Sequence, residues 1–148
     1  MSTIAERVGS LRERIATLEA RYGRPAGSVT LLGISKTHEA ARVREAHAAG
    51  LSEFGESYVQ EALPKIEALA DLPLTWHFVG RIQGNKTAAI AAGFAWVHGI
   101  DRLRIARRLS EQRPAHLPPL ECCIEVNLSG EASKGGATPE ELPALAAA

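Results

Sequence analysis

A lysine stands where an apolar strand should end. In Leu31-Leu32-Gly33-Ile34-Ser35-Lys36, a run suited to burial stops at a hydroxyl and an amine. Alternation along an extended chain puts Thr30, Leu32, Ile34 and Lys36 on one face, so the amine follows apolar neighbours. The carboxyl end of a strand is where α/β folds build their sites. An apolar enclosure disfavours the ammonium and lowers its pKa. A neutral amine can then attack a carbonyl carbon and form a Schiff base. A lysine whose stem lies on apolar surface while its head reaches water has the same pattern. Position alone therefore leaves both readings open.

Other stretches add polar groups at the same kind of position. Thr75, His77 and Val79 share one face and Trp76, Phe78 and Gly80 the other, which turns His77 inward if the aromatics meet helices. A core histidine satisfied by a neighbour fits that pattern as well as a site histidine does. Gly80, Gly84 and Asn85 form a loop into a helix, where exposed backbone N–H groups could bind an anion. Glu56, Ser57, Tyr58 and Gln60 follow another strand, with Ser57 also placed to cap a helix. Glu121, Cys123, Glu125 and Asn127 share a face, and two carboxylates on a strand either line a polar cavity or pair with cations. Lys134-Gly135-Gly136 reads as a flexible basic loop. Arg102, Arg104, Arg107 and Arg108 are spread around a helix with no aromatic residues between them, which describes a solvated outer helix rather than a nucleic-acid surface.

These groups need elements to hold them. Ile4, Val8, Leu11, Ile15 and Leu18 recur at helical spacing, and Gly23 and Pro25 end that helix. Strands are expected at 29–35, 52–57, 75–80, 96–100 and 120–127. Helices are expected at 38–49, 58–70, 85–93 and 101–113. A last helix opens at Thr138 as N-cap, with Pro139 first and Glu141 as capping-box partner; Pro143 sits deep for that register. A lead helix and five strand–helix units imply a parallel sheet with helices outside. Element order does not separate a doubly wound sheet from part of a barrel. No GxGxxG follows the first strand and no GxxxxGK[ST] occurs, which argues against nucleotide folds.

Composition narrows the setting. The 148 residues are 45% hydrophobic and 23% charged, enough for one domain with a real core. Seventeen basic residues balance 17 acidic ones, so no broad field attracts nucleic acid or an anionic membrane. No apolar run reaches spanning length, and Glu6 and Arg7 interrupt the place of an export signal. Cys122 and Cys123 are adjacent, which suits neither an ordinary disulfide nor a zinc site. A reducing cytoplasm fits best.

Taken together, "GISKTHEA", "FGESYVQEALPKI", "WHFVGRIQGNK", "HGIDRLRIARRL" and "VNLSGEASKGG" resemble, in order and spacing, the pyridoxal phosphate homeostasis proteins. The resemblance runs from about Leu11 to the last residue. It implies a (β/α)8 barrel of the TIM type, similar to the N-terminal barrel of alanine racemase. Residues 1–148 would be a single domain, the lead helix and about five strand–helix units of that barrel. It further implies pyridoxal 5'-phosphate held as a Schiff base on Lys36, with Ser57 and His77 lining the cofactor's surroundings. Ser57 stands where the family more often has asparagine. The implied role is intracellular homeostasis of the cofactor, with apo-enzymes as acceptors, no nucleic-acid or membrane partner, and a monomer in the full-length family. No established turnover goes with it, although a racemase or lyase on the same barrel is the alternative. A complete barrel takes about 200–250 residues, so truncation before the phosphate-holding strands is expected. Exposed sheet edges, marginal stability or pairing with a second copy, and possible loss of cofactor binding are expected with it.

Overall fold

Each strand pairs only with its neighbours in sequence. The structure, a computed structural model, describes all residues, 1–148. Its elements are α1 (Ile4–Arg21), β1 (Gly33–Ile34), α2 (Ala40–Ala48), β2 (Glu53–Glu56), α3 (Val59–Ala68) and β3 (Thr75–Phe78). A 3-10 turn (Gly84–Lys86) leads into α4 (Thr87–Gly93), followed by β4 (Trp96–Ile100), α5 (Leu103–Gln112), β5 (Glu121–Ile124) and α6 (Leu142–Ala147). The five strands are parallel, in the order β1-β2-β3-β4-β5. A doubly wound sheet reverses its strand order at a switch point. No reversal occurs here, so the sheet is wound in one direction, as in an open arc of a TIM-type barrel.

The main core lies between the sheet and its helices. Phe54, Trp76, Phe78 and Val97 project from the strands, Ala62, Ile90, Ile105 and Leu109 meet them from the helices, and Leu69 does so from the residue that caps α3. Phe54 and Trp76 lie 5.9 Å apart between ring centroids, and Phe78 and Phe94 meet edge to face at 5.2 Å. The opposite face carries Leu32, Ile34 and Val79, which converge where a side chain on Gly55 would stand. Glycine at 55 leaves room for them: an added Cβ would lie 2.7 Å from Ile34 Cδ1.

Several boundaries differ from the sequence expectation for physical reasons. The first strand is two residues long, not seven. Its forerunner is tied to α1 instead, because buried Glu19 accepts from the backbone N–H groups of Gly27 at 2.9 Å and Val29 at 2.8 Å. Those two N–H donors hold the Glu19 carboxyl below its ordinary range. The expected apolar face of α1 is only partly covered: Val8 is buried while Leu11 and Leu18 are exposed. The Thr138–Glu141 capping box forms in both directions, yet regular helix begins at Leu142. Pro143 has no N–H to extend the ladder back to the cap.

Candidate functional site

The carboxyl end of β1 is held from beneath by a buried charged cluster. Ser35 is buried; its N–H donates to the Gly55 carbonyl at 2.9 Å and its Oγ to Glu56 Oε1 at 2.9 Å. Lys65, on α3, spends its three ammonium protons there. Its Nζ donates to the Ser35 carbonyl oxygen at 2.9 Å, to Glu56 Oε1 at 2.5 Å and to Glu61 Oε1 at 3.1 Å. Glu61 Oε1 also accepts from the Thr37 N–H at 2.5 Å. Lys65 first, and the Thr37 N–H second, keep the Glu61 carboxyl below its ordinary range.

Both neighbours of Lys36 are therefore fixed. Thr37 adds a constraint of its own: its φ of 65° is rare for a β-branched residue. Such conformations persist only where the surroundings over-determine them. Lys36 itself is exposed and takes part in none of the chain's ion pairs. This corrects the expectation of an apolar enclosure. Ile34, two residues before it, is 48% exposed, so this end of β1 is open to solvent.

Glu56 also departs from expectation. It shares a face with Phe54 and turns into the core beneath the rim, where its side chain is fully buried. Ser57, the next residue, stays at the rim and is half-buried. Gly80 crosses directly over it: a Cβ on Gly80 would lie 2.4 Å from the Ser57 carbonyl oxygen. Glycine is required there by proximity.

His77 points to the inner face as expected but is engaged within the chain. Its Nε2 lies 2.5 Å from Glu53 Oε2 and its Nδ1 lies 2.9 Å from His98 Nε2. The ring stacks on Trp96 at 5.3 Å with an 11° tilt. Burial, and then the neighbouring His77, hold His98 below its ordinary pKa. Lys36 and Ser57 thus share the strand-end rim, while His77 sits within the sheet.

The remaining candidates separate. Neither Glu121 nor Glu125 pairs with a cation, because β5 is a sheet edge that water reaches. Glu125 instead faces the 134–136 loop beside Asp101, which accepts from the Gly136 N–H at 3.4 Å. On α5, Arg104 and Arg107 are exposed, and Arg108 braces the start of α4 through Gly84 O at 3.1 Å and Thr87 Oγ1 at 3.2 Å.

Sequence reasoning missed Lys65, Glu61, Glu53 and His98. A signal was available for the first two. Glu61 and Lys65 stand four apart on a helix, and Glu56 lies on an apolar strand face where a carboxylate needs a cation.

Comparison with known proteins gives three findings. The profile of the family described as "Alanine racemase, N-terminal domain" matches residues 7–148. The pyridoxal phosphate homeostasis protein of Pseudomonas aeruginosa is 62% identical over 148 residues, covering 100% of this chain and 64% of that protein. PipY of Synechococcus elongatus, solved with pyridoxal phosphate bound, superposes with a TM-score of 0.79 at 38% identity, over 97% of this chain and 64% of that one. The chain therefore spans about two thirds of the length of each, just under that share.

Proposed function

The chain belongs to the alanine racemase N-terminal domain family, and on that premise we propose that it binds pyridoxal 5'-phosphate covalently through Lys36 and serves intracellular homeostasis of that cofactor. The observation that carries this reading is a free lysine amine at the carboxyl end of β1 whose two neighbours are both anchored. The name of the Pseudomonas relative and the cofactor in PipY support it.

The residues present fit the aldehyde end of such a cofactor. Lys36 has no competing carboxylate, so its amine is available as a nucleophile once deprotonated. When bound, the cofactor supplies an aldehyde carbon that a primary amine captures reversibly with loss of water. Lys65 and Glu61 hold the backbone from which Lys36 reaches. Ser57 offers a rim hydroxyl toward the cofactor, and His77 supports that wall from within the sheet through Glu53 and His98.

A carrier role follows better than turnover. The name of the Pseudomonas relative supports a homeostatic carrier, whereas a racemase additionally needs an acid–base group opposed to its lysine. We assign apo-enzymes as acceptors, no nucleic-acid or membrane partner, and a monomeric state for the full-length family, with association of this chain through its exposed sheet edges. We assign the cytoplasm as the compartment. The balanced charge and two free adjacent thiols support those assignments, and no helix is long and apolar enough to cross a membrane.

The test is visible absorption on mixing with pyridoxal phosphate, then borohydride reduction and peptide mapping. A new absorption band with the label on Lys36, lost in Lys36→Ala, is expected. A label that maps to one other lysine and survives in Lys36→Ala would overturn the assignment.

A further inference from the structure

The loop after β3 carries an anion signal in sequence that the Lys36 site does not use. The structure relocates its source. The helix that follows is α4, seven residues long and entered through a 3-10 turn, so its start is a weak donor array. A cavity of about 320 Å3 lies instead between that loop and the start of α3. Ser57, Gln60, Gly80, Arg81, Gln83 and Lys86 line it, and no carboxylate does.

Two cations reach this cavity without a partner. Arg81 and Lys86 take part in none of the chain's ion pairs, and neither side chain donates to another protein group. Lys86 is half-buried, and partial desolvation of an unpaired ammonium is unfavourable unless an anion or water answers it. Lys65, one loop away, is the contrast: it is more deeply buried and has two carboxylates. The ten-residue α3 begins at this cavity with no side-chain cap, which adds the positive end of its dipole. Ser57, Gln60 and Gln83 add neutral donors. The Gly80–Ser57 crossing brings the two loop backbones together on one wall.

We propose that this cavity binds a phosphate-type oxyanion, either inorganic phosphate or the phosphate group of a small monoester, independently of Lys36. Guanidinium and ammonium donors with a helix start form a recurrent phosphate-binding set. Lys36 is not among the lining residues and Ser57 is the one residue common to both readings, so binding that survives in Lys36→Ala separates this site from the cofactor assignment.

The test is calorimetric titration of the full chain with inorganic phosphate and, separately, with glycerol 3-phosphate, which has no aldehyde for a lysine to capture. Saturable binding of one or both is expected, unchanged in Lys36→Ala and weakened about tenfold or more in Arg81→Gln/Lys86→Gln. Tighter binding of the monoester identifies a phosphorylated metabolite as the ligand class; equal or tighter binding of phosphate identifies the free ion. Amide shifts of Gly80 and Gln60 during titration of the unmodified chain give a readout that needs no variant. Absence of saturable binding, equal binding by the double variant, or loss of binding in Lys36→Ala would each overturn the proposal.

Discussion

Lys65 donates to the Ser35 carbonyl oxygen at 2.9 Å and so holds the backbone one residue before Lys36. Glu61 does the same one residue after it, through the Thr37 N–H. An exposed side chain thus springs from a backbone hydrogen-bonded on both sides. Positional precision of this kind is what a supporting shell gives a reactive group. Lys65 joins both anchors, since it binds Glu56 and Glu61 together.

Replacing Lys65 tests that role in stability. Lys65→Met leaves Glu56 buried without its cation, and breaking a buried pair on one side costs about 3–5 kcal/mol. Urea unfolding should show that loss. Adding Glu56→Leu should restore a large part of it, because no orphaned charge then remains. A Lys65→Met protein as stable as the parent would show that the pair contributes nothing.

Glu61→Gln separates the second anchor from the first. The Thr37 N–H keeps an oxygen acceptor but loses its charge, for an expected loss of about 1 kcal/mol. Glu61 also sets an acid limb. Its folded pKa lies below the ordinary value of 4.5, so the unfolded chain takes up the proton first as pH falls. Its stabilisation is full above that ordinary value and is lost as pH drops through the folded value. In Glu61→Gln, stability measured across that range should change less steeply than in the parent.

His98 governs a different window. Its folded pKa lies below the ordinary 6.5, so the neutral ring belongs to the fold and the charged ring to the unfolded chain. Stability should therefore hold above about 6.5 and decline as pH falls through the lower folded value. Thermal melts of His98→Gln should lack that decline. A decline of equal size in the variant would assign the effect to another group.

Two glycines of the same loop should respond in opposite ways to alanine. At Gly80 the added methyl meets the Ser57 backbone at 2.4 Å, and neither chain can move cheaply. Overpacking of this kind costs about 1–3 kcal/mol. At Gly84 nothing lies within 4 Å, and its φ is not in the left-handed region, so Gly84→Ala should leave the melting temperature unchanged or raise it. Equal effects at the two positions would argue against the crossing.

The sequence was most legible where periodicity and punctuation agree. β4 has the bounds expected for it, and Gly23 and Gly50 take the left-handed φ that ends a helix. The placement of Lys36 just past β1 follows from where the apolar run stops. Its surroundings do not, because enclosure depends on what packs over the strand. The β1 segment misled for a related reason: Val29 and its neighbours have strand character, but a buried Glu19 claims their backbone donors first. His77 read correctly as inward, while its partners Glu53 and His98 come from strands 24 and 21 residues away. Such pairings become visible only once strand register is known. Direction of winding, open in the sequence, was settled by strand order.

That consecutive strand order also bears on how the chain reaches its native state. Each strand from β2 to β5 docks on the one made just before it. Paired strands lie one strand–helix unit apart, which keeps contact order below that of a sheet whose strands pair out of sequence. The residues of the base that holds Lys36, Ser35, Thr37, Glu56, Glu61 and Lys65, all lie within residues 35–65. That base is therefore complete in sequence before the residues of β3 are made, so its parts are among the first available to fold during synthesis.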